Sequence, residues 1–141
     1  MAEALKVRDC MTACPHTLEP SRSVAEASAL MREHSIRHVP VVEEGSLNGL
    51  LSDRDVTLVL SLVDVDPARV RVSDVMAPDP MQVSPDAALG DVAGEMAERK
   101  SGAAVVTDGT QVVGIFTTVD ALRALQGLLR ETAGAAERPA P

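Results

Sequence analysis

The chain of 141 residues contains no tryptophan, no tyrosine and one phenylalanine, Phe116. With aromatics at 1%, the core must be assembled from Val, Leu, Ala, Ile and Met, and a pocket for a planar base must grip with aliphatic side chains. Basic residues are also few: 13 Lys and Arg stand against 21 Asp and Glu, for a net charge of −8. Extended nucleic-acid binding, which needs several Lys or Arg phosphate contacts on one face, is excluded. A single phosphate needs only a local cluster of donors, so a small anionic ligand remains compatible with this charge.

No apolar run approaches the ~18 residues that mark a membrane span, and the N-terminal MAEALKVRDC lacks the apolar stretch of a signal peptide. The expectation is a cytoplasmic protein with no membrane partner. Cysteine is limited to Cys10 and Cys14. Two are too few for a disulfide framework, and a reducing compartment keeps them as thiols. A chain of 141 residues suits one compact domain or two half-sized units, and excludes a sizeable enzyme.

What the sequence does contain is a duplication. Residues 6–60 lie over residues 71–125 without gaps at a constant offset of 65. The overlay pairs Val7 with Val72, Asp9 with Asp74, Met11 with Met76, Pro15 with Pro80 and Pro20 with Pro85. Further on, Met31 meets Met96, Glu33 meets Glu98, Val41 meets Val106, Gly49 meets Gly114, Asp55 meets Asp120 and Leu60 meets Leu125. The identities fall at punctuating residues, and the residue classes between them also match.

Each copy reads as strand, helix, strand, strand, helix. A short extended piece (16–19; 81–84) precedes a helix with Val24, Ala27, Leu30 and Met31 at three- and four-residue spacing. Ser23 with Glu26 is a capping-box start, and the second copy offers Ser84-Pro85-Asp86. HVPVV and AAVVT follow, then the turns EEGS and DGT, then LNGLL and QVVGIF, which predict a β-hairpin in each copy. Second helices are expected at about 53–62 and 119–130. The fold class is therefore mixed α+β (α/β-type): two β-α-β-β-α repeats packed as a pseudo-twofold module that shares a core and leaves two clefts. One copy alone buries too little surface to be stable. The boundaries are 6–65 for the first repeat, 66–70 for a linker, 71–130 for the second repeat and 131–141 for a tail. The tail's small residues, charge and two prolines predict disorder.

The duplicated signature is GLLSDRD at 49–55 and GIFTTVD at 114–120. Ser52 with Asp55, and Thr117 with Asp120, stand three residues apart at a helix start, which is a capping pattern contributing about 1 kcal/mol. The same geometry has a second reading. A helix N-terminus attracts phosphate, the cap hydroxyl can turn toward it, and an aspartate one turn in can accept two hydrogen bonds from a ribose cis-diol.

The stretches MREHSIRHVPVVEEGSLNGLLSDRDV (31–56) and MAERKSGAAVVTDGTQVVGIFTTVDAL (96–122), with the openings VRDCMT and VSDVMA, resemble the CBS domain, named after cystathionine β-synthase. Residues from about 6 to 128 resemble a tandem, stand-alone CBS pair. The resemblance implies a regulatory module, not an enzyme, that binds an adenosine-containing ligand between its repeats: AMP, ADP or ATP first, S-adenosylmethionine or NAD second. It carries phosphate and ribose contacts over to Ser52, Asp55, Thr117 and Asp120. The base-lining stretch carries over to Ile36, Arg37, His38, Val39 and Pro40, and to Ser101, Gly102, Ala103, Ala104 and Val105. Thr17 and Gln82 correspond to ligand-facing positions of the family's first strand, and Arg54 is placed for phosphate or is a solvated surface charge. The resemblance also implies a homodimer formed through the helices, for which Val56, Val59, Leu60, Val63, Leu122, Leu125 and Leu129 offer apolar surface, and a regulated protein of unknown identity.

The two clefts are expected to differ. Ala103, Ala104 and Val105 replace His38, Val39 and Pro40, and Val119 replaces Arg54, so phosphorylated ligand should prefer the first copy. Cys10, Cys14 and His16 could supply metal ligands, with only His34 and His38 elsewhere. Structural zinc needs four ligands in recognisable pairs, so no metal site is expected. An alternative function, a ligand-free dimerisation scaffold whose Ser/Thr-x-x-Asp pairs only cap helices, stays open on the sequence.

Overall fold

The computed structural model describes residues 5–137, with side chains through residue 134. Residues 1–4 and 138–141, the latter part of the predicted tail, lie outside the described residues. The first half contains β1 (Thr12–Ala13), α1 (Val24–His34), β2 (His38–Glu43), β3 (Ser46–Ser52) and α2 (Asp53–Leu60). The second contains β4 (Gln82–Val83), α3 (Leu89–Arg99), β5 (Ala103–Asp108), β6 (Gln111–Thr117) and α4 (Thr118–Glu137).

The duplication fixes the backbone in detail. Val39 lies opposite Leu51 and Ala104 opposite Phe116, which are equivalent pairs under the offset, and both hairpins carry an irregularity in the same place, at Val41/Val42 and Val106/Thr107. α1 and α3 each end on a left-handed residue, Ser35 (φ 53°) and Lys100 (φ 54°), whose N–H caps the preceding turn. The hairpin loops differ: Glu44 and Gly45 both have positive φ, as a type I′ turn requires, whereas only Gly109 does in the second loop.

The leading segment of each repeat crosses to the other. β1, from the first repeat, pairs antiparallel with β6, in a sheet of order β1-β6-β5-β4. At the equivalent place Ala77 bridges Leu50 of the two-stranded β2-β3 sheet, and Leu18 bridges Val41 as β4 pairs with β5. Two hydrophobic clusters result in place of the single shared core expected. The first is built on Val24, Ala27, Met31, Val39, Val41 and Leu51 and is completed by Val72 from the second repeat. The other is built on Leu89, Val92, Met96, Ala104, Val106 and Phe116 and is completed by Val7 from the first. Each half lacks a fully buried valine without the other, so folding of the two is coupled.

Gly49 and Gly114 take their place in the signature from this crossing. Neither has a positive φ. A Cβ on Gly49 would lie 2.6 Å from the Ala77 carbonyl oxygen and 2.6 Å from the Met76 sulfur, and one on Gly114 would strike the Met11 thioether. The leading segment passes where a side chain would stand.

Three sequence expectations need correction. α3 starts at Leu89 and not around Ser84-Pro85-Asp86; the Ser84 hydroxyl instead accepts from the Asp86 N–H in a local turn, and the Leu89 N–H is satisfied by the Leu5 carbonyl. α4 runs on to Glu137, so residues 131–137 are helical where composition predicted disorder. They are rich in Ala and contain no proline, and the prolines that lowered the stretch's helical character sit at 139 and 141. Finally, Val56 and Val59 belong to the first core, whereas Leu60, Val63, Leu122, Leu125 and Leu129 are exposed. α1 packs against α2 on that side and takes the two valines.

Candidate ligand-binding clefts

Both Ser/Thr-x-x-Asp signatures sit where a hairpin strand turns into a helix. The register places His38 opposite Ser52 and Ala103 opposite Thr117. The next residue begins the helix, and its N–H is taken by the residue just before the neighbouring strand: Asp53 donates to the Arg37 carbonyl (2.8 Å) and Thr118 to the Gly102 carbonyl (3.0 Å). Helix and hairpin are thereby locked at a fixed angle.

The capping geometry is fully formed in the first signature. Ser52 N–H donates to Asp55 Oδ2 (3.0 Å), the Ser52 hydroxyl donates to the same oxygen (2.9 Å), and Asp55 N–H donates to Ser52 Oγ (3.2 Å). Oδ1 of Asp55 has no hydrogen-bond partner among the described residues, and the side chain is half-buried. In the second signature Thr117 makes the same three bonds with Asp120, at 2.9, 3.1 and 3.3 Å. There the other carboxylate oxygen is engaged as well. The Thr12 hydroxyl, brought across by β1, donates to Asp120 Oδ1 at 3.1 Å, and Asp120 is buried.

Thr12 is the residue that sequence reasoning missed. Its signal was present: the aligned position in the second copy is Ala77, which has no hydroxyl to offer Asp55. Without knowing that the leading segments cross, nothing connects residue 12 to residue 120.

The other predicted residues divide by strand alternation. Val39 and Ala104 point into the two cores, leaving only their backbone to face a ligand. Pro40, Ala103 and Val105 are buried outside both clusters, on the opposite faces of their hairpins. Ile36 packs against the first core. Thr17 is exposed beside the Leu18 bridge, and exposed Gln82 pairs with Val105 and accepts a hydrogen bond from the Thr107 hydroxyl (3.4 Å). Ser101 turns its hydroxyl to the Ala103 carbonyl (2.7 Å). Arg54 is exposed and makes no ion pair among the described residues. Arg37 is exposed and lines a groove on the helical side together with Arg32.

His38 reaches between the repeats. A Cβ added to Gly102 would lie 3.4 Å from His38 Nε2 and 3.9 Å from the Thr118 hydroxyl, so the imidazole sits near the start of α4 as well as that of α2. Burial lowers its pKa from the ordinary value, against the opposing pull of Asp53 and Asp55, and Arg37 lowers it further. Its counterpart is Ala103, so the module has one such group and not two.

The CBS domain family model matches residues 7–62 and again 72–127. The chain belongs to the CBS domain family. Among curated proteins, this CBS pair is 33% identical over 130 residues to the CBS domain-containing protein YhcV of Bacillus subtilis, covering 92% of the chain and 91% of YhcV. Among solved structures, it resembles the CBS domain pair of protein MJ0100 in complex with 5′-methylthioadenosine and S-adenosyl-L-methionine. There the TM-score is 0.80 at 26% identity, covering 89% of this chain and 98% of that one. It also resembles CBSX2 of Arabidopsis thaliana in complex with AMP, with a TM-score of 0.76 at 28% identity, covering 87% and 97%. The CBS pair has no helix among its described residues that is long and apolar enough to cross a membrane.

Proposed function

We propose that this CBS pair is a regulatory module that senses an adenine nucleotide, AMP, ADP or ATP, in the cleft at Ser52 and Asp55. The observation that carries the reading is the uncommitted Oδ1 of Asp55 beside a helix N-terminus flanked by His38 and Arg54. A ribose diol would use that oxygen, and the phosphate would meet the hydroxyl of Ser52 and the start of α2. The AMP complex of CBSX2 and the 5′-methylthioadenosine and S-adenosyl-L-methionine complex of MJ0100 support an adenosine ligand. The cleft at Thr117 and Asp120 is the weaker one, because Thr12 already holds the oxygen that a ribose would need. Ligand binding then favours one arrangement of the repeats and alters contact with a regulated protein, by no more than the difference in affinity between the arrangements.

The exposed stripe Val119, Leu122, Leu125 and Leu129 on α4 supports a homodimer formed through the helices. A second reading is favoured by the closed capping boxes: a ligand-free dimerisation scaffold in which both aspartates only hold helix starts. Thermal unfolding against AMP, ADP, ATP, S-adenosylmethionine and NAD separates the two. A ligand at about a hundred times its dissociation constant adds roughly 2.7 kcal/mol of stability. The sensor reading expects a shift with an adenine nucleotide that Asp55→Ala abolishes and Asp120→Ala largely preserves. No shift with any ligand, confirmed by calorimetry, leaves the scaffold.

A further inference from the structure

A groove of about 440 Å³ opens between α1 and the start of α2 on the helical side of the first repeat. Arg32 and Arg37 both line it, with Ser28, Ser35 and Thr57 as further donors and Asp53 as the one carboxylate. Lys6, Arg8, Arg22, Arg69, Arg71 and Arg99 all have a carboxylate within ion-pair distance, whereas Arg32 and Arg37, like Arg54, Lys100, Arg123 and Arg130, have none among the described residues. What sets Arg32 and Arg37 apart from the other unpaired cations is that both open into one groove, in a chain with 21 acidic residues. The hydrogen bond that Arg32 makes is to Ser28 Oγ at 3.3 Å, and Ser28 is buried, which draws the guanidinium over the groove.

The second repeat serves as an internal control. The equivalents of Ser28, Arg32, Arg37 and Thr57 are Ala93, Ala97, Gly102 and Leu122. The same helix pair therefore folds with aliphatic residues and glycine at all four places. Folding does not call for the arginines, so their grouping needs another account.

We propose that this groove is a second anion site that takes a phosphoryl group, free or carried on a small metabolite. Two guanidinium forks and three hydroxyls offer more donors than the two oxygens of a carboxylate can use, and suit the three oxygens of a phosphoryl group. Met31, Ile36, Val56 and Leu60 also line the groove, and their apolar surface lowers the local dielectric and strengthens those bonds; exposed Leu60 is also a position the sequence offers to a helix-mediated dimer. The site does not depend on the nucleotide reading, since Ser52 and Asp55 do not line it.

The test is a titration of the full chain with inorganic phosphate and with glycerol 3-phosphate at low ionic strength, followed by amide chemical shifts in the NMR spectrum. Wild type, Arg32→Gln, Arg37→Gln and Asp55→Ala are compared; both arginines are exposed, so their glutamine variants keep the fold. The expected result is shift changes in residues 28–37 and 53–57, a roughly tenfold or greater loss of affinity in each arginine variant, and no change in Asp55→Ala. Tighter binding of the ester than of phosphate assigns the groove to a phosphorylated metabolite; equal binding assigns it to the free anion. The proposal is overturned if Arg32→Gln binds phosphate as wild type does, or if the shifts depend on Asp55. It is equally overturned if neither phosphate nor the ester binds; a change of sedimentation in Arg32→Gln then assigns the arginines to an interface between copies.

Discussion

Gly49→Ala and Gly114→Ala are the same substitution at equivalent positions of a duplicated fold, yet their costs should differ several-fold. An added methyl at Gly49 meets a backbone atom, the Ala77 carbonyl oxygen at 2.6 Å, in addition to the Met76 side chain. That carbonyl accepts from Leu50 N–H (3.0 Å), and Ala77 N–H donates to the Leu50 carbonyl (2.9 Å). Backing the segment away breaks both bonds, at about 1 kcal/mol each, and disturbs Met76 in the first core for about 1 kcal/mol more. Alanine returns about 0.5–1 kcal/mol by restricting the unfolded chain, for a net loss of about 2–2.5 kcal/mol. At Gly114 the three nearest atoms all belong to the flexible Met11 side chain, which can change rotamer, so the net loss should stay below about 1 kcal/mol. Urea unfolding of the two variants measures both. A double-mutant cycle sharpens the comparison: Met11→Ala should relieve Gly114→Ala almost entirely, whereas Met76→Ala should leave most of the Gly49→Ala cost because the Ala77 carbonyl remains. Equal losses, or full relief by Met76→Ala, would refute the reasoning that a crossing backbone dictates this glycine.

Ser35→Gly and Lys100→Gly should each stabilise the protein by about 0.5–1 kcal/mol in chemical denaturation, since both residues sit in the left-handed region where glycine carries no Cβ penalty. His38 has a depressed pKa in the folded state, so below about pH 6.5, the ordinary value of an unfolded histidine, the unfolded chain binds more protons than the folded one. The stability present above that pH is lost as pH falls through the folded-state pKa, and His38→Gln should remove this part of the pH dependence of the urea midpoint. Thr12→Ala frees Oδ1 of Asp120 and should raise the number of nucleotides bound per chain in calorimetry, with no effect on the first cleft. Replacing Leu125 and Leu129 together with glutamate puts charge into the exposed α4 stripe and should convert a dimer to monomer in sedimentation velocity without lowering the melting temperature of the fold.

The duplication carried most of the fold. A gapless offset predicts equivalent elements, and hairpin register, bulge position and both ends of α1 and α3 repeat with it, while α4 outruns α2. The crossing of the leading segments was not legible, because hydrophobic periodicity reports which face of an element is buried and not which neighbour buries it. Val7 and Val72 read equally well as local core residues, and each belongs to the other half. Helix ends were misjudged for a related reason. The start of α3 is set by the Leu5 carbonyl, a distant acceptor that no cap residue announces. In the candidate clefts, the Ser/Thr-x-x-Asp pairs were visible as motifs, but the division of Val39 and Ala104 from Pro40, Ala103 and Val105 required the strand faces, which a continuous apolar run hides.

The crossing also makes the two clefts unequal in kind. Among the described residues Asp55 is hydrogen-bonded only within its own repeat, whereas Asp120 is held from both, through Thr117 on one oxygen and through Thr12 of the first repeat on the other. A ribose entering the second cleft has to displace the Thr12 hydroxyl. A hydrogen bond to a charged acceptor contributes about 1.5–3 kcal/mol, and Thr12 is exposed, so the penalty lies at the low end, about tenfold in affinity. Displacement frees a bond through which β1 is tied to the far repeat, and so loosens the crossing that completes the second core. Ligand in the first cleft breaks no such bond, because Ala77 has no hydroxyl to give. In the proposed reading, the first cleft therefore fills at lower nucleotide concentration with the crossing intact. Only the second, filling about a decade later, can change how the repeats are held together, and the regulated partner would sense that change.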